Sequence, residues 1–300
     1  MTDFTVELQK QTCGCRLQLS SLTTSRAMEK QQIKTVADTF DADEKSVGGS
    51  RRTINRKLEF VAPVYKLLLT ARNYVNAHTL DYPEDGIRLI RLSAIDRVDK
   101  HVRGLRDELR ERLDDLSKNW ASVREDARAR LGKAFVEADY AISPLAHYDI
   151  KLSFPEIAPD ARLMQLHPDL FAAEKSRIEA RFEEAVIAAE MAAQQSAQKL
   201  LEHFVERLTD DSDGKRKTVK ESTVNKIHEF VARFRSTNIG SNDQLDKLVG
   251  EIEGLAAGID IKALRKAPDG TRSQVVTNAT ALLEKVKSVI ITRPIRDIEL

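Results

Sequence analysis

Aromatic side chains are scarce in this chain of 300 residues, at 5% Phe, Trp and Tyr. Ala, Leu, Glu, Lys and Arg are abundant instead, a balance that favours long helices over a compact sandwich or barrel. Cysteine is confined to Cys13 and Cys15. Residues two apart on a strand point their side chains in parallel, so this C-x-C does not close into a bridge, and a reducing compartment is expected. No second cysteine pair completes a zinc site, and His78, His101, His147, His167, His203 and His228 include no pair at helical i, i+4 spacing. We therefore expect no metal and no cofactor. No apolar run approaches the length of a membrane span, and Met1 to Lys10 lacks the apolar centre of a signal peptide. These absences predict a cytoplasmic protein that does not enter a membrane. Neither sign of charge prevails: 48 Lys and Arg stand against 47 Asp and Glu. A near-neutral chain has no global pull towards nucleic acid or an anionic surface.

What the chain does have is two helical seams. The first runs through Ile95, Val98, Val102, Leu105, Leu109, Leu116, Trp120, Val123 and Ala127. The second runs through Ile178, Phe182, Ala185, Ala189, Ala192, Ser196 and Leu200. Steps of three and four place one apolar stripe along each helix, and a stripe needs a partner to bury it. The first helix starts near Ser93, with Asp96 in a capping-box position, and ends near Gly132. The second starts at Pro168 and runs unbroken to Leu208, about 60 Å at 1.5 Å per residue. Its stretch Ala188 to Ala197 is rich in alanine, so a neighbour can approach closely there.

Around these helices the pattern predicts a strand from Cys13 to Leu22, a short helix from Ser25 to Thr39, and a polar loop from Asp41 to Ser50. A helix follows from Thr53 to His78, kinked or split by Pro63. Short strands are expected over Ile87 to Leu92 and His147 to Phe154, the latter inside a proline-interrupted segment, Ala141 to Leu166. Three helices close the chain: Val219 to Arg235, one capped by Ser241, and Thr271 to Ile290. The expected class is mainly α: a long antiparallel, coiled-coil-like helical hairpin with a small β element and a C-terminal helical bundle. The expected domains are residues 1–92, 93–208 with the inserted β segment 141–166, and 209–300.

Few residues suggest chemistry. Gly48-Gly49-Ser50-Arg51-Arg52, with Arg56 and Lys57 one turn on, could cradle an anion at a helix start, but the Walker spacing is absent. Lys215-Arg216-Lys217 is the densest basic cluster; no aromatics interleave with it, and adjacent acids can neutralise it. Asp210-Asp211-Ser212-Asp213-Gly214 fails as a calcium loop, because Lys220 stands where a bidentate Glu is needed. No hydrolase, zincin or dinucleotide motif is present.

The order Cys15-Arg16-Leu17-Gln18-Leu19-Ser20, Tyr82-Pro83-Glu84-Asp85-Gly86-Ile87-Arg88-Leu89-Ile90, Ala138-Asp139-Tyr140 and Tyr148-Asp149-Ile150-Lys151-Leu152-Ser153-Phe154-Pro155 resembles a bacterial and phage family of helical proteins, domain of unknown function 3150. Asn238-Ile239, Leu245, Leu248, Ile259 to Arg265 and Arg272 continue the likeness. The resemblance implies a helical protein without a catalytic centre, encoded near a MoxR-type AAA ATPase and a von Willebrand factor A protein. It implies an adaptor or substrate of such a machine and assigns no residue a role. We expect a non-enzymatic scaffold or adaptor that self-associates or binds a protein partner. Its interaction seam would comprise Val102, Leu105, Leu109, Leu116, Trp120, Phe182 and Leu200. The alternative is a phage- or defence-related nucleic-acid-binding protein that uses Arg51, Arg52, Arg56, Lys57, Lys215, Arg216 and Lys217.

Overall fold

A computed structural model describes residues 10–141, 143–209, 217, 220–238, 242–259 and 269–289. The protein is mainly α with small antiparallel β elements. It divides into two compact units. Met1–Cys15, Ala77–Ala94 and Phe154–Leu300 form the first, and Arg16–Asn76 with Ile95–Ser153 form the second.

In the second unit, the later residues of β1 (Thr12–Ser20) pair with β6 (Asp149–Ser153), Leu17 opposite Leu152. The segment expected to open a helix at Ser25 is strand β2 (Ser25–Ala27), paired with β3 (Ser50–Arg52). The Gly48-Gly49 turn thus leads into a strand, and helix α1 (Lys30–Phe40) fills the connection. Gln32 reaches back to the Glu29 amide at 3.0 Å to cap it. Helix α2 (Ala62–Ala77) is also shorter than expected. Pro63 sits in its first turn, where its missing N–H has no partner to lose, so it starts the helix instead of kinking one. Tyr65 donates to, or accepts from, the Tyr148 hydroxyl at 3.1 Å.

Helix α3 (Ile95–Lys118) carries the first seam, with Val98, Val102, Leu105, Leu109, Leu113 and Leu116 buried. It packs against β6 and the turn at Pro144–His147. Asn119 breaks the seam helix: its side-chain amide donates to the Asp115 carbonyl at 2.9 Å and competes with the helical ladder. Helix α4 (Trp120–Leu131) resumes and ends at Gly132, whose φ of 50° suits glycine.

In the first unit, Thr12–Cys15 of β1 pairs with β5 (Arg88–Arg91), which pairs with β4 (Thr79–Asp81). A Cβ on Gly14 would lie 2.4 Å from the Pro155 carbonyl oxygen, so only glycine fits between the two cysteines. After the short helix α5 (Ala161–Leu166), helix α6 runs over Pro168–Leu208, the bounds its sequence pattern predicts. Its first half packs Ile178, Phe182, Ala185 and Val186 against Leu89 of β5 and Tyr82 and Ile87 of the β4–β5 connection. Its second half packs Ala197, Leu201, Phe204 and Leu208 into a core shared with α7 (Glu221–Thr237), α8 (Asp243–Ala257) and α9 (Asp269–Ser288). The first seam thus finds cover within its own unit, as do Ile178, Phe182 and Ala185 of the second. Asn242, not Ser241, caps α8, accepting from the Leu245 amide at 3.0 Å; Ser241 itself lies outside the described residues.

The C-terminal end of α6 is held by an arginine from another helix. Arg272 of α9 is buried and donates to the carbonyls of Leu208 (2.7 Å), Arg207 (3.3 Å) and Lys217 (3.0 Å). A cation at this end meets both the unsatisfied carbonyls and the negative pole of the helix dipole. Gln194, midway along α6, donates to the carbonyls of Val286 and Val289, both at 2.8 Å, and ties the other end of α9 to the same helix.

Candidate open groove on helix α6

The buried path along α6 follows the expected seam through Ile178, Phe182 and Ala185 and then departs from it. After Ala185 it passes through Val186, Glu190, Ala197 and Leu201. Ala192 and Ser196, expected inward, are exposed, and Ala189 is half-buried. The cause is the alanine run: small apolar residues occupy several faces of the helix there, so periodicity cannot tell which face is inside.

The face turned away from the core forms the floor of a groove of about 410 Å³. Ala188, Ala189, Ala192, Ala193, Ser196 and Leu200 line that floor. One wall is Thr79, Leu80 and Asp81 of β4 with Arg88 of β5; the other is α7, through Lys226, Glu229, Phe230, Arg233, Phe234 and Thr237. Phe230 and Phe234 are half-buried, their rings 6.3 Å apart, and present apolar area one turn apart. Arg88 is committed to its own wall: it pairs with Asp81 and donates to Thr79 Oγ1 at 2.6 Å. The Ser196 hydroxyl donates to the Ala192 carbonyl at 2.7 Å, an ordinary helical back-bond. Beneath one end, Glu190, Asn238, Asn242 and Asp246 line a small cavity of about 40 Å³, where Asn238 donates to Asp246 at 2.6 Å.

The residues expected to bind an anion are not gathered into one site. Arg51 is buried and structural: it donates to Asp139 at 2.9 Å and to Gln32 at 3.3 Å, tying β3 to the segment after α4. Both of its terminal nitrogens donate within the chain and the side chain is buried, so Arg51 has little left for a phosphate and leaves the candidate list. Arg52, Arg56 and Lys57 are exposed. Arg56 lies over the Tyr65 ring at 4.6 Å and donates to Thr24 at 3.2 Å. Lys215 and Arg216 lie outside the described residues, as does the acidic turn before them. Lys217 is half-buried, its ammonium 3.5 Å from the Glu206 carbonyl and its own carbonyl held by Arg272.

The expected interaction seam is mostly interior. Val102, Leu105, Leu109, Leu116 and Phe182 are buried, where an incoming partner does not reach them. Trp120 is half-buried and donates to the Tyr140 carbonyl at 3.0 Å. Leu200 alone of the seven lines the groove. The groove's Phe230, Phe234, Lys226 and Arg233 carried no signal in the sequence beyond the amphipathic period of α7. The signal that existed was the alanine run.

The cysteines are poorly placed for nucleophilic work. Burial pushes the Cys13 thiol up, and burial with the neighbouring Cys13 pushes Cys15 up to about 11, so both are protonated at neutral pH. Among the described residues, no three His, Cys, Asp or Glu side chains gather as a metal site requires. No helix among them is long and apolar enough to cross a membrane. No family model, curated protein or solved structure matches the chain.

Proposed function

We propose that this protein is a non-enzymatic helical scaffold or adaptor, and that it engages a protein partner through the groove on α6. The observation that carries the reading is the groove itself. It is an alanine-floored helix face flanked by two half-buried phenylalanines. Apolar surface left open beside polar rims is a common mark of an interaction site. Four residues of the second seam, Ala189, Ala192, Ser196 and Leu200, line the floor of this groove. The AAA ATPase implied by the resemblance is one partner of the required kind.

The test is a pull-down with tagged full-length protein from its native host, with and without nuclease, beside the variant Ala192→Trp. A protein recovered after nuclease treatment and lost with Ala192→Trp supports the reading. Loss of every partner on nuclease treatment overturns it in favour of nucleic acid at the exposed Arg52, Arg56 and Lys57.

A further inference from the structure

The walls of the groove differ in how their charges are satisfied. On the far flank of α7, Arg235 is paired with Glu253 of α8. On the strand wall, Arg88 is paired with Asp81. On the groove flank of α7, Lys226, Glu229 and Arg233 are exposed, and none has an ion pair among the described residues. They follow one another at steps of three and four, so they form a single ridge along the groove, reading base, acid, base.

The floor beside that ridge has the same period. Ala188, Ala192, Ser196 and Leu200 form one i, i+4 row, and Ala189 and Ala193 a second. From Ala188 to Leu200 the row extends about 18 Å, three turns and more of helix. Small side chains there leave room for a second helix to lie at the near end of the usual interaxial range, about 8 Å. Phe230 and Phe234 then flank its apolar stripe. An extended strand would present charges at a period of two and would miss a ridge spaced by three and four.

We propose that the groove takes an amphipathic α-helix of a partner protein whose flank reads acid, base, acid at helical spacing. The acids meet Lys226 and Arg233, the base meets Glu229, and the apolar face covers the alanine floor. This is the helix-in-groove mode, with flanking charges selecting the partner and its register. The proposal rests on the reading of this groove as a protein-binding site.

The test uses a display library of three-to-four-turn amphipathic helices with a Leu/Ala face. Three flank positions are randomised among Glu, Lys and Gln. The library is selected on the full-length protein and on its triple variant Lys226→Glu, Glu229→Lys, Arg233→Glu. Because all three positions are exposed, circular dichroism of the variant should match the parent. We expect Glu-Lys-Glu flanks from the parent and Lys-Glu-Lys flanks from the variant. A labelled Glu-Lys-Glu peptide should lose about tenfold in affinity on the triple variant, read by fluorescence anisotropy, and a similar factor on Ala192→Trp. No enrichment over bare support, or the same flanks from both proteins, overturns the proposal. A pull-down partner that survives Ala192→Trp alongside failed selection removes the groove and leaves the adaptor; a partnerless pull-down alongside successful selection does the reverse.

Discussion

Replacing Arg272 should destabilise the first unit more than any other single change to a charged residue there. The guanidinium is 5% exposed and donates to three carbonyl oxygens from the end of α6 and the segment after it. A hydrogen bond from a charged donor contributes about 1.5–3 kcal/mol net, and a cation at a helix C-terminus adds about 0.3–1 kcal/mol. Desolvation of the guanidinium offsets part of that sum. Arg272→Ala leaves carbonyls short of a donor in a buried to part-buried site, for a net loss of about 3 kcal/mol. That is a large share of the roughly 5–15 kcal/mol that holds a domain. Arg272→Lys keeps the charge and loses the planar fork, so it should recover only about half. The assay is urea unfolding followed by far-ultraviolet circular dichroism, where the Ala variant should lower the midpoint by about 1 M or more. Arg235→Ala is the control, because its pair with Glu253 is exposed and should contribute less than about 1 kcal/mol. If Arg272→Ala shifts the midpoint no more than Arg235→Ala, the reading of Arg272 as the clamp on α6 is refuted.

Two further outcomes follow from the geometry. In a double-mutant cycle on Arg51→Ala and Asp139→Ala, urea unfolding should give a coupling of about 1.5–3 kcal/mol, since both side chains are largely buried at 2.9 Å; additive effects would mean that the pair does not hold β3 in place. Cys15 should be alkylated at pH 9 at least about fifty-fold more slowly in the folded protein than in urea, because a thiol held up at about 11 is only about one part in a hundred thiolate there and the side chain is also buried from the reagent. The same shift has a sign for stability: the fold favours the protonated thiol, so its contribution is complete below about pH 9 and fades as pH rises towards 11. Equal alkylation rates in the two states would contradict it.

Long elements were legible and short ones were not. The bounds of α6 were readable because Pro168 marks its start and nothing within forty residues breaks the pattern. The start of α2 was not, since Thr53 to Val61 carries helical periodicity that a first-turn proline overrides. The β2–β3 pair was illegible for a different reason. Three-residue strands leave almost no period to detect, and here the pairing joins residues far apart in sequence, Ser25 against Arg52, Arg26 against Arg51 and Ala27 against Ser50. Arg51 shows the corresponding failure at the level of sites. Beside a double glycine it reads as an anion clamp, and only its partner Asp139, far along the chain, reveals it as a structural tie.

The alanine run explains both why the groove exists and why its face was misassigned. A heptad reading placed Ala189, Ala192 and Ser196 inward because each is small and correctly spaced. Yet alanine contributes little to a core: burying one methyl gains about 0.8 kcal/mol, against roughly 1.5–3 kcal/mol for a large aliphatic side chain. The core therefore follows the larger residues, Phe182, Val186, Leu201 and Phe204, as they move around the helix, and it leaves the alanines behind on the open side. A surface helix that needed only solubility would carry Lys and Glu on that side, as the exposed flank of α3 does with Arg103, Asp107, Arg110 and Asp114. Alanine at Ala188 and Ala192 keeps the helix face apolar and low without serving the core. A second helix is the element that makes use of such a face, and Lys226, Glu229 and Arg233 of α7, without an ion pair among the described residues, line the same groove.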